Sequence, residues 1–278
     1  MNDHPLLYLL YGLVSGFSQF VPVSASAHQS LFYQLLGLDS SHPLLLLFVH
    51  GGALGALIWM YRKRLLHIRR ELQIAALPAS RRKRPADMSA VLDAKLTMAA
   101  LLPVLVGAAL SFVAAKAASN LIWMSLLLIA SATYTFLPDY RLGGDRSGSA
   151  MSPMDGLLMG LMAGLSVIPG VSAVGGMLAL GLLRKCDRSY ILEIAYLIMA
   201  LFLAGLMVTD FICIFVVGLG TLSVRLLLCS LLAAAAAFGG GVAAVLLMRF
   251  LSVRDGFSGF SYYGWGLGLL IFILYLMV

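Results

Sequence analysis

Long apolar segments, separated by short polar connections, run through the whole chain. A bilayer core about 30 Å thick needs about 20 consecutive helical residues to cross it, and most of the segments are close to that length. The pattern therefore predicts an all-α polytopic integral membrane protein, formed as a single membrane domain by residues 1–278. The apolar segments cover residues 5–37, 44–61, 97–115, 121–137, 155–183, 190–208, 226–248 and 262–278, with a shorter piece at 211–224.

The composition excludes an ordinary soluble domain. Hydrophobic residues make up 61% of the chain, charged residues make up 11%, and the mean hydropathy is +0.97. Soluble domains carry about 25% charged residues. The net charge of +7 would suit a nucleic-acid partner, but the basic residues cluster in one connection between apolar segments. Because that clustering is typical of membrane topology, no nucleic-acid partner is predicted.

Two of the apolar segments are too long for one span and too short for two. Residues 5–37 would form a helix of about 50 Å and residues 155–183 one of about 43 Å, at 1.5 Å per residue. Each has a proline at its centre, Pro22 in the first and Pro169 in the second, and proline interrupts a helix. We expect two re-entrant helical hairpins that fold back near the middle of the membrane. A tilted, kinked helix is the alternative.

The two interrupted segments resemble each other in sequence. Residues 12–18 read GLVSGFS and residues 160–166 read GLMAGLS, at an offset of 148 positions. In each segment a further serine, Ser24 or Ser172, stands 12 positions after the first glycine. Small-residue faces are common in membrane helices, so chance similarity is an alternative. The shared offset favours a duplicated half.

The distribution of charge predicts the topology. Ten basic residues and three acidic residues lie between positions 62 and 95, and the positive-inside rule makes the connection 62–96 cytoplasmic. Pro78 and Pro85 argue against a continuous helix there. Tracing the spans in both directions gives two inverted-topology repeats, 1–140 and 150–278, each a hairpin followed by three spans. Such repeats place a substrate site near the midplane, between broken helices.

The motifs at the two breaks resemble the undecaprenyl pyrophosphate phosphatase (bacitracin-resistance) family of bacterial membrane proteins, and the resemblance covers essentially the whole chain. It implies a multi-pass protein of the bacterial inner membrane whose pocket opens toward the periplasm. It also implies removal of one phosphate from the C55 carrier lipid pyrophosphate used in cell-wall synthesis, with Mg²⁺ or Ca²⁺. The residues that carry it are GLVSGFSQFVPVSASAH at 12–28, HGGALGAL at 50–57, Arg62-Lys63-Arg64, Pro103, and PGVSAVGG at 169–176.

This chain departs from the family pattern where the chemistry is concentrated. The family has glutamates at the positions of Ser15 and Gln19, a second serine at the position of Ala25, and an arginine at the position of Ala173. Val174 also replaces a family serine. The positions that match the family are Pro22, Ser24, Ser26, His28, Pro169, Gly170, Ser172 and Gly175.

These replacements change what the site is expected to do. A pyrophosphate brings several negative charges into a low-dielectric pocket, where unpaired charge is costly. Neither break holds a carboxylate, lysine or arginine, so no metal site is predicted, although the family would imply one. Free amides at helix N-termini still bind phosphate. The predicted substrate-binding residues are Ser24, Ser26, His28, Gly170, Ser172, Gln19 and His50.

The single residues also have plainer interpretations. Each serine could bond back to its own helix, and His50 could be a structural histidine. In an active enzyme, His28 and Ser24 would be the catalytic residues. Glu193 is expected to pair with the basic cluster at 184–188.

Three functions follow from these observations. The first is a protein that binds a polyprenyl (pyro)phosphate with impaired or absent hydrolysis and moves it across the membrane. The second is an active undecaprenyl-diphosphate phosphatase, so that enzymatic activity is left open. The third is a small-solute transporter or a structural membrane subunit. The lipid and the bilayer are the expected partners, and a homodimer is a further expectation.

Overall fold

The protein is helical throughout the described residues. The computed structural model describes residues 4–37, 42–114, 120–141, 151–217, 223–254 and 256–277. Within them it has no β-strand and, besides one 3-10 turn at Ala79–Arg81, eleven α-helices. These are α1 Pro5–Ser18, α2 Ala25–Leu36, α3 Pro43–Ala76, α4 Met88–Ala99, α5 Leu101–Ala114, α6 Leu121–Arg141, α7 Pro153–Leu165, α8 Ala173–Leu183, α9 Arg188–Val217, α10 Val224–Ser252 and α11 Gly259–Met277.

Several of these helices are long and apolar enough to cross a membrane. In the described part of the chain there are five such segments, namely α3, the run from α4 into α5, α9, α10 and α11. Large apolar side chains such as Leu102, Phe215 and Leu276 stay exposed on them, as expected of surfaces that contact lipid. The prediction of an all-α polytopic membrane protein is confirmed.

Each over-long apolar segment is divided into two short helices by a non-helical break. Residues 19–24 separate α1 from α2, and residues 166–172 separate α7 from α8. The 14 residues of α1 and the 13 residues of α7 are only about 21 and 20 Å long, so neither crosses a bilayer core alone. The predicted interruptions at Pro22 and Pro169 are present. We call α1 with α2, and α7 with α8, the broken helix pairs.

Glycines let the first helix of each broken pair approach a neighbouring helix closely. A Cβ atom added at Gly12 in α1 would lie 2.1 Å from the carbonyl oxygen of Ala233 in α10. A Cβ atom added at Gly160 in α7 would lie 2.6 Å from the Cα of Ala100, between α4 and α5. Real Cβ contacts are never this short, so both backbones fit only because these residues lack a side chain. The two glycines occupy equivalent positions in the repeated motif.

The basic connection over 62–96 is mostly helical, and the predicted interruption of a continuous helix within it is present. Helix α3 continues to Ala76 and α4 begins at Met88, which leaves a connection of residues 77–87. The leucine, arginine, glutamate and lysine residues of this region are strong helix formers. Pro78 and Pro85 fall outside both helices and mark where they stop, because proline and the residue before it disfavour helix.

Candidate functional site

The two breaks touch each other in the interior of the bundle. The backbone N–H of Gly170 donates a hydrogen bond to Oγ of Ser24 at 2.9 Å. The hydroxyl of Ser26 donates to the carbonyl of Ser166 at 2.8 Å and lies 3.3 Å from that of Ile168. Residues about half the chain apart in sequence are therefore in direct contact. The structure brings Ser24, Ser26 and Gly170 together, as the sequence predicts.

The hydrogen bonds of Ser24 are all used within the protein. Ser26 gives its proton to a carbonyl, which can only accept, so the 3.2 Å contact between the two hydroxyls has Ser24 as donor. Oγ of Ser24 also accepts from the N–H groups of Gly170 at 2.9 Å and Ala27 at 3.2 Å. A hydroxyl has one proton and two lone pairs, and Ser24 is 0% exposed. Its hydroxyl therefore has nothing left to offer a ligand in this conformation.

The ring of His28 is held by two partners. Nδ1 lies 2.7 Å from the carbonyl oxygen of Ser24, and because a carbonyl only accepts, Nδ1 carries the hydrogen. Nε2 lies 2.7 Å from the hydroxyl of Tyr263 in α11, so in the neutral ring Nε2 accepts from that hydroxyl. The two rings stack with centroids 5.8 Å apart and an interplanar angle of 15°. The contacts fix both the tautomer and the orientation of His28.

Two side chains of α6 satisfy the backbone of the second break. Ser131 donates to the carbonyl of Gly170 at 2.7 Å, and Tyr134 donates to the carbonyl of Ser172 at 2.9 Å. The N–H of Ser172 donates to the same two hydroxyls at 3.2 and 3.0 Å. Non-helical backbone inside a membrane protein needs such partners. Ser131 and Tyr134 are not among the predicted site residues; their spacing of three, which puts them on one helix face, is the signal that the sequence offers.

The second break also depends on Gly170 and Ser172 themselves. Gly170 has a φ angle of +105°, a conformation that favours glycine, and an added Cβ would lie 2.6 Å from Cβ of Leu127. Oγ of Ser172 accepts from the N–H of Gly175 at 3.1 Å and so caps α8. The hydroxyl of Ser172 therefore bonds to its own helix, which is the plainer of the two interpretations of this serine.

The first break is anchored on α9. The hydroxyl of Tyr196 donates to the carbonyl of Phe20 at 2.8 Å, and the two rings meet edge to face with centroids 5.8 Å apart. Tyr196 is 1% exposed. Like Tyr134 at the second break, it donates a hydroxyl hydrogen to a backbone carbonyl in a break.

Four of the five positions that depart from the family pattern lie at the helix ends beside the breaks. Ser15 and Gln19 are one turn apart at the end of α1, and both are buried. Ala25 is the first residue of α2 and Ala173 is the first residue of α8. No carboxylate or guanidinium is supplied from these four positions.

The donors at the breaks do not fit a divalent cation of the kind that the family resemblance implies. Mg²⁺ and Ca²⁺ bind oxygen ligands that include carboxylates, whereas the groups here are neutral hydroxyls and amides that already hydrogen-bond each other. Across the described ranges, no three His, Cys, Asp or Glu side chains are grouped so as to hold a metal ion. The residues at the breaks therefore do not form a site for such a cation.

His50, predicted to line the same site, is engaged with a carboxylate on another helix. Its Nδ1 lies 2.7 Å from Oδ2 of Asp210 in α9, and the two side chains are 6% and 8% exposed. The structure thus shows a buried acid–base pair between α3 and α9 where the sequence predicted a ligand contact.

The predicted pairing of Glu193 with the basic cluster at 184–188 is wrong. Glu193 in α9 pairs with Arg64 of α3, while Arg184 of the basic cluster pairs with Asp155 at 2.7 Å. The reason is the extension of α3, which carries Arg64 alongside the first turns of α9 and was not expected to be helical.

The fold and the site define a polytopic helical membrane protein in which two broken helix pairs meet inside the bundle. The family described as "Bacitracin resistance protein BacA" matches residues 8–270. The chain belongs to this family.

Known relatives are similar over most of their length. The undecaprenyl-diphosphatase of Alkaliphilus metalliredigens (strain QYMF) is 24% identical over 272 residues, which cover 97% of this chain and 98% of that protein. The undecaprenyl-diphosphatase of Methanobrevibacter smithii is 26% identical over 270 residues, with 95% of each chain covered. Undecaprenyl-diphosphatase 2 of Stutzerimonas stutzeri (strain A1501) is 30% identical over 198 residues, covering 68% and 70%.

Proposed function

We propose that this protein binds a polyprenyl phosphate or pyrophosphate carrier lipid and hydrolyses the pyrophosphate poorly or not at all. The relatives are named undecaprenyl-diphosphatases, and these names support a polyprenyl pyrophosphate as the class of ligand. The observation that carries the loss of hydrolysis is the state of Ser24, whose hydroxyl makes three internal hydrogen bonds. Hydrolysis of a phosphate anhydride depends mainly on positioning and charge neutralisation, and the uncharged residues at the four family positions supply little of either.

Binding of the headgroup uses groups that the breaks still offer. The N-termini of α2 and α8 begin directly after the breaks, and the positive end of a helix dipole favours phosphate. His28 can add a positive charge. When Nε2 is protonated, it donates a hydrogen bond instead of accepting one from Tyr263. Phosphate oxygens are stronger acceptors than a tyrosine hydroxyl, so the protonated ring favours the lipid headgroup.

The architecture in this proposal is that of two inverted repeats with re-entrant hairpins, 1–140 and 150–278, in a bacterial inner membrane. Corresponding packing supports it: α1 packs on α10 as α7 packs on α4 and α5, and α6 pairs with α11. The short length of α1 and α7 and the contact between the breaks support hairpins that enter from opposite sides. The positive-inside rule then puts the basic end of α3 in the cytoplasm. Inverted repeats of this kind suit movement of a lipid headgroup across the membrane.

Restoring the family residues tests the proposal. We expect the purified protein to release phosphate from C55 pyrophosphate, with Mg²⁺ or Ca²⁺ present, at least about 10³-fold more slowly than the Alkaliphilus relative, because single stabilising groups are worth about 10²–10³ each. The variant Ser15→Glu/Gln19→Glu/Ala25→Ser/Ala173→Arg should gain activity. Turnover by the unmodified protein at the rate of the relative would contradict the proposal. Light scattering on the same samples tests the predicted homodimer.

An active phosphatase is the second candidate, and the orientation of His28 favours it. Two hydrogen bonds hold this ring, as expected for a group that must be positioned for proton transfer. In that case Ser24 would have to release the bond from Gly170 before acting. The same assay separates the candidates, because His28→Ala would abolish a measurable turnover.

A further inference from the structure

A second group of polar side chains lies away from the breaks, at the end of the bundle formed by the C-terminal half of α3, the first turns of α4 and α9, and the last turns of α10. We call it the charged end. Tyr61 and Arg64 of α3 stand three residues apart and so share one helix face. Tyr61 is 3% exposed, and its hydroxyl oxygen and Nε of Arg64 are buried without a hydrogen-bond partner in the structure.

Both of these atoms are donors that lack an acceptor. The guanidinium of Arg249 in α10 lies over the ring of Tyr61, 4.5 Å from its centroid. Arginine only donates, so even a bond from Arg249 to the Tyr61 oxygen leaves the hydroxyl proton unused. The charges of Arg249, Glu193 and Arg64 all act on the Tyr61 hydroxyl, which puts one carboxylate and two guanidinium groups in one cluster with it.

The nearby carboxylates are already engaged. Glu193 pairs with Arg64. Asp93 in α4 accepts from Arg64 at 2.7 Å and from the hydroxyl of Tyr190 at 3.1 Å. Within the described ranges no carboxylate forms an ion pair with Arg249. The cluster therefore has unsatisfied donors and an unpaired cation, and what it lacks is an acceptor.

We propose that Tyr61, Arg64 and Arg249 form a binding site for a phosphate-type oxyanion at the charged end. One such oxyanion accepts several hydrogen bonds at once, and bonds to charged donors are the strong ones. Arg62 and Lys63 are exposed beside the site and raise the local concentration of anions. The source of the oxyanion is the headgroup of a polyprenyl phosphate or free phosphate.

The site adjoins the first break through aromatic side chains. The rings of Tyr61 and Tyr196 meet edge to face with centroids 5.8 Å apart, and Tyr196 bonds the carbonyl of Phe20 in the break. If the ligand is the lipid headgroup, the inference rests on the proposed function, because the headgroup would then bind at the breaks and also at the charged end. If the ligand is free phosphate, the inference does not rest on the proposed function.

Binding measurements on three variants test the site. The probes are inorganic phosphate and a C15 isoprenyl monophosphate, titrated into the purified full-length protein in detergent. We expect Arg249→Gln to weaken binding at least about tenfold and Tyr61→Phe about fivefold. Arg254→Gln is the matched control, since Arg254 is exposed and lies over Phe250, and it should bind like the unmodified protein. Weakening for both probes indicates free phosphate as a ligand; weakening for the isoprenyl probe alone indicates the lipid headgroup.

The site is overturned if Tyr61→Phe and Arg249→Gln both bind the two probes as tightly as the unmodified protein does. That result would mean that water satisfies these donors. Arg249→Lys keeps the charge and should bind with intermediate affinity, so a folding defect of the glutamine variant does not decide the outcome. His28→Ala distinguishes the two proposals. If it leaves isoprenyl phosphate binding unchanged while Arg249→Gln weakens it, headgroup binding at the breaks is excluded and the site at the charged end stands.

Discussion

The hydrogen bond from the backbone N–H of Gly170 to Oγ of Ser24, 2.9 Å long, joins the two halves of the chain at their breaks. The family resemblance implies a role for Ser24 in phosphate chemistry, but here its hydroxyl connects two interrupted helices. The same hydroxyl caps the first turn of α2 through Ala27. In this conformation Ser24 therefore acts as a structural residue.

Removing this hydroxyl should destabilise the protein. Ser24→Ala leaves the buried N–H of Gly170 without an acceptor, which costs about 1–3 kcal/mol, and should lower the thermal unfolding midpoint in detergent. Ser30→Ala is the control, because Ser30 only bonds back to the carbonyl of Ser26 in its own helix, a bond that contributes little to stability. Equal unfolding midpoints for the two variants would show that the hydrogen bond between the breaks adds no more to stability than the bond within one helix.

Close helix packing predicts a second stability effect. Gly12→Ala pushes a methyl group into the carbonyl of Ala233 and should destabilise the protein by about 1–3 kcal/mol or more. Gly239→Ala in α10 meets nothing within 4 Å and should stabilise it by about 0.5–1 kcal/mol, since alanine is the better helix former. Thermal unfolding of both variants checks the pair, and a stabilising Gly12→Ala would contradict the observed approach of α1 to α10.

The buried pair of His50 and Asp210 predicts strong coupling between α3 and α9. His50→Leu leaves the carboxylate of Asp210 buried and unpaired, for which we expect a loss of about 3–5 kcal/mol. The double variant His50→Leu/Asp210→Leu should recover most of the loss, because neither polar side chain is then left buried without its partner. Additive losses in the two single variants and the double variant would show that the residues do not interact.

Headgroup binding should depend on pH through His28. A proton on Nε2 adds a charge and a donor, so the affinity for a C15 isoprenyl phosphate should be highest at acidic pH and should fall as the histidine loses its charge. His28→Gln should remove the part of this dependence that does not come from the ligand's own titration. Calorimetry at a series of pH values measures both proteins, and identical pH profiles would exclude His28 from the site.

Features that depend on local sequence could be predicted, whereas features that depend on which helices meet could not. Segment length and the prolines at positions 22 and 169 predicted both breaks, because those signals lie within the segments themselves. The hydroxyls that satisfy the breaks come from distant helices, and nothing near Ser131 or Tyr263 in the sequence identifies Gly170 or His28 as its partner. Pro78 and Pro85 predict where the helix through the basic region is interrupted, but they do not show that α3 continues as a helix to Ala76.

The measurement that tests the central claim most directly follows the fate of C55 pyrophosphate bound to the unmodified protein. The lipid is incubated with an equal amount of purified protein and Mg²⁺, separated with the protein, and extracted for mass analysis. Our account predicts that the lipid co-purifies with the protein and is recovered as intact pyrophosphate. Recovery of the monophosphate, with release of one phosphate per protein, would contradict it.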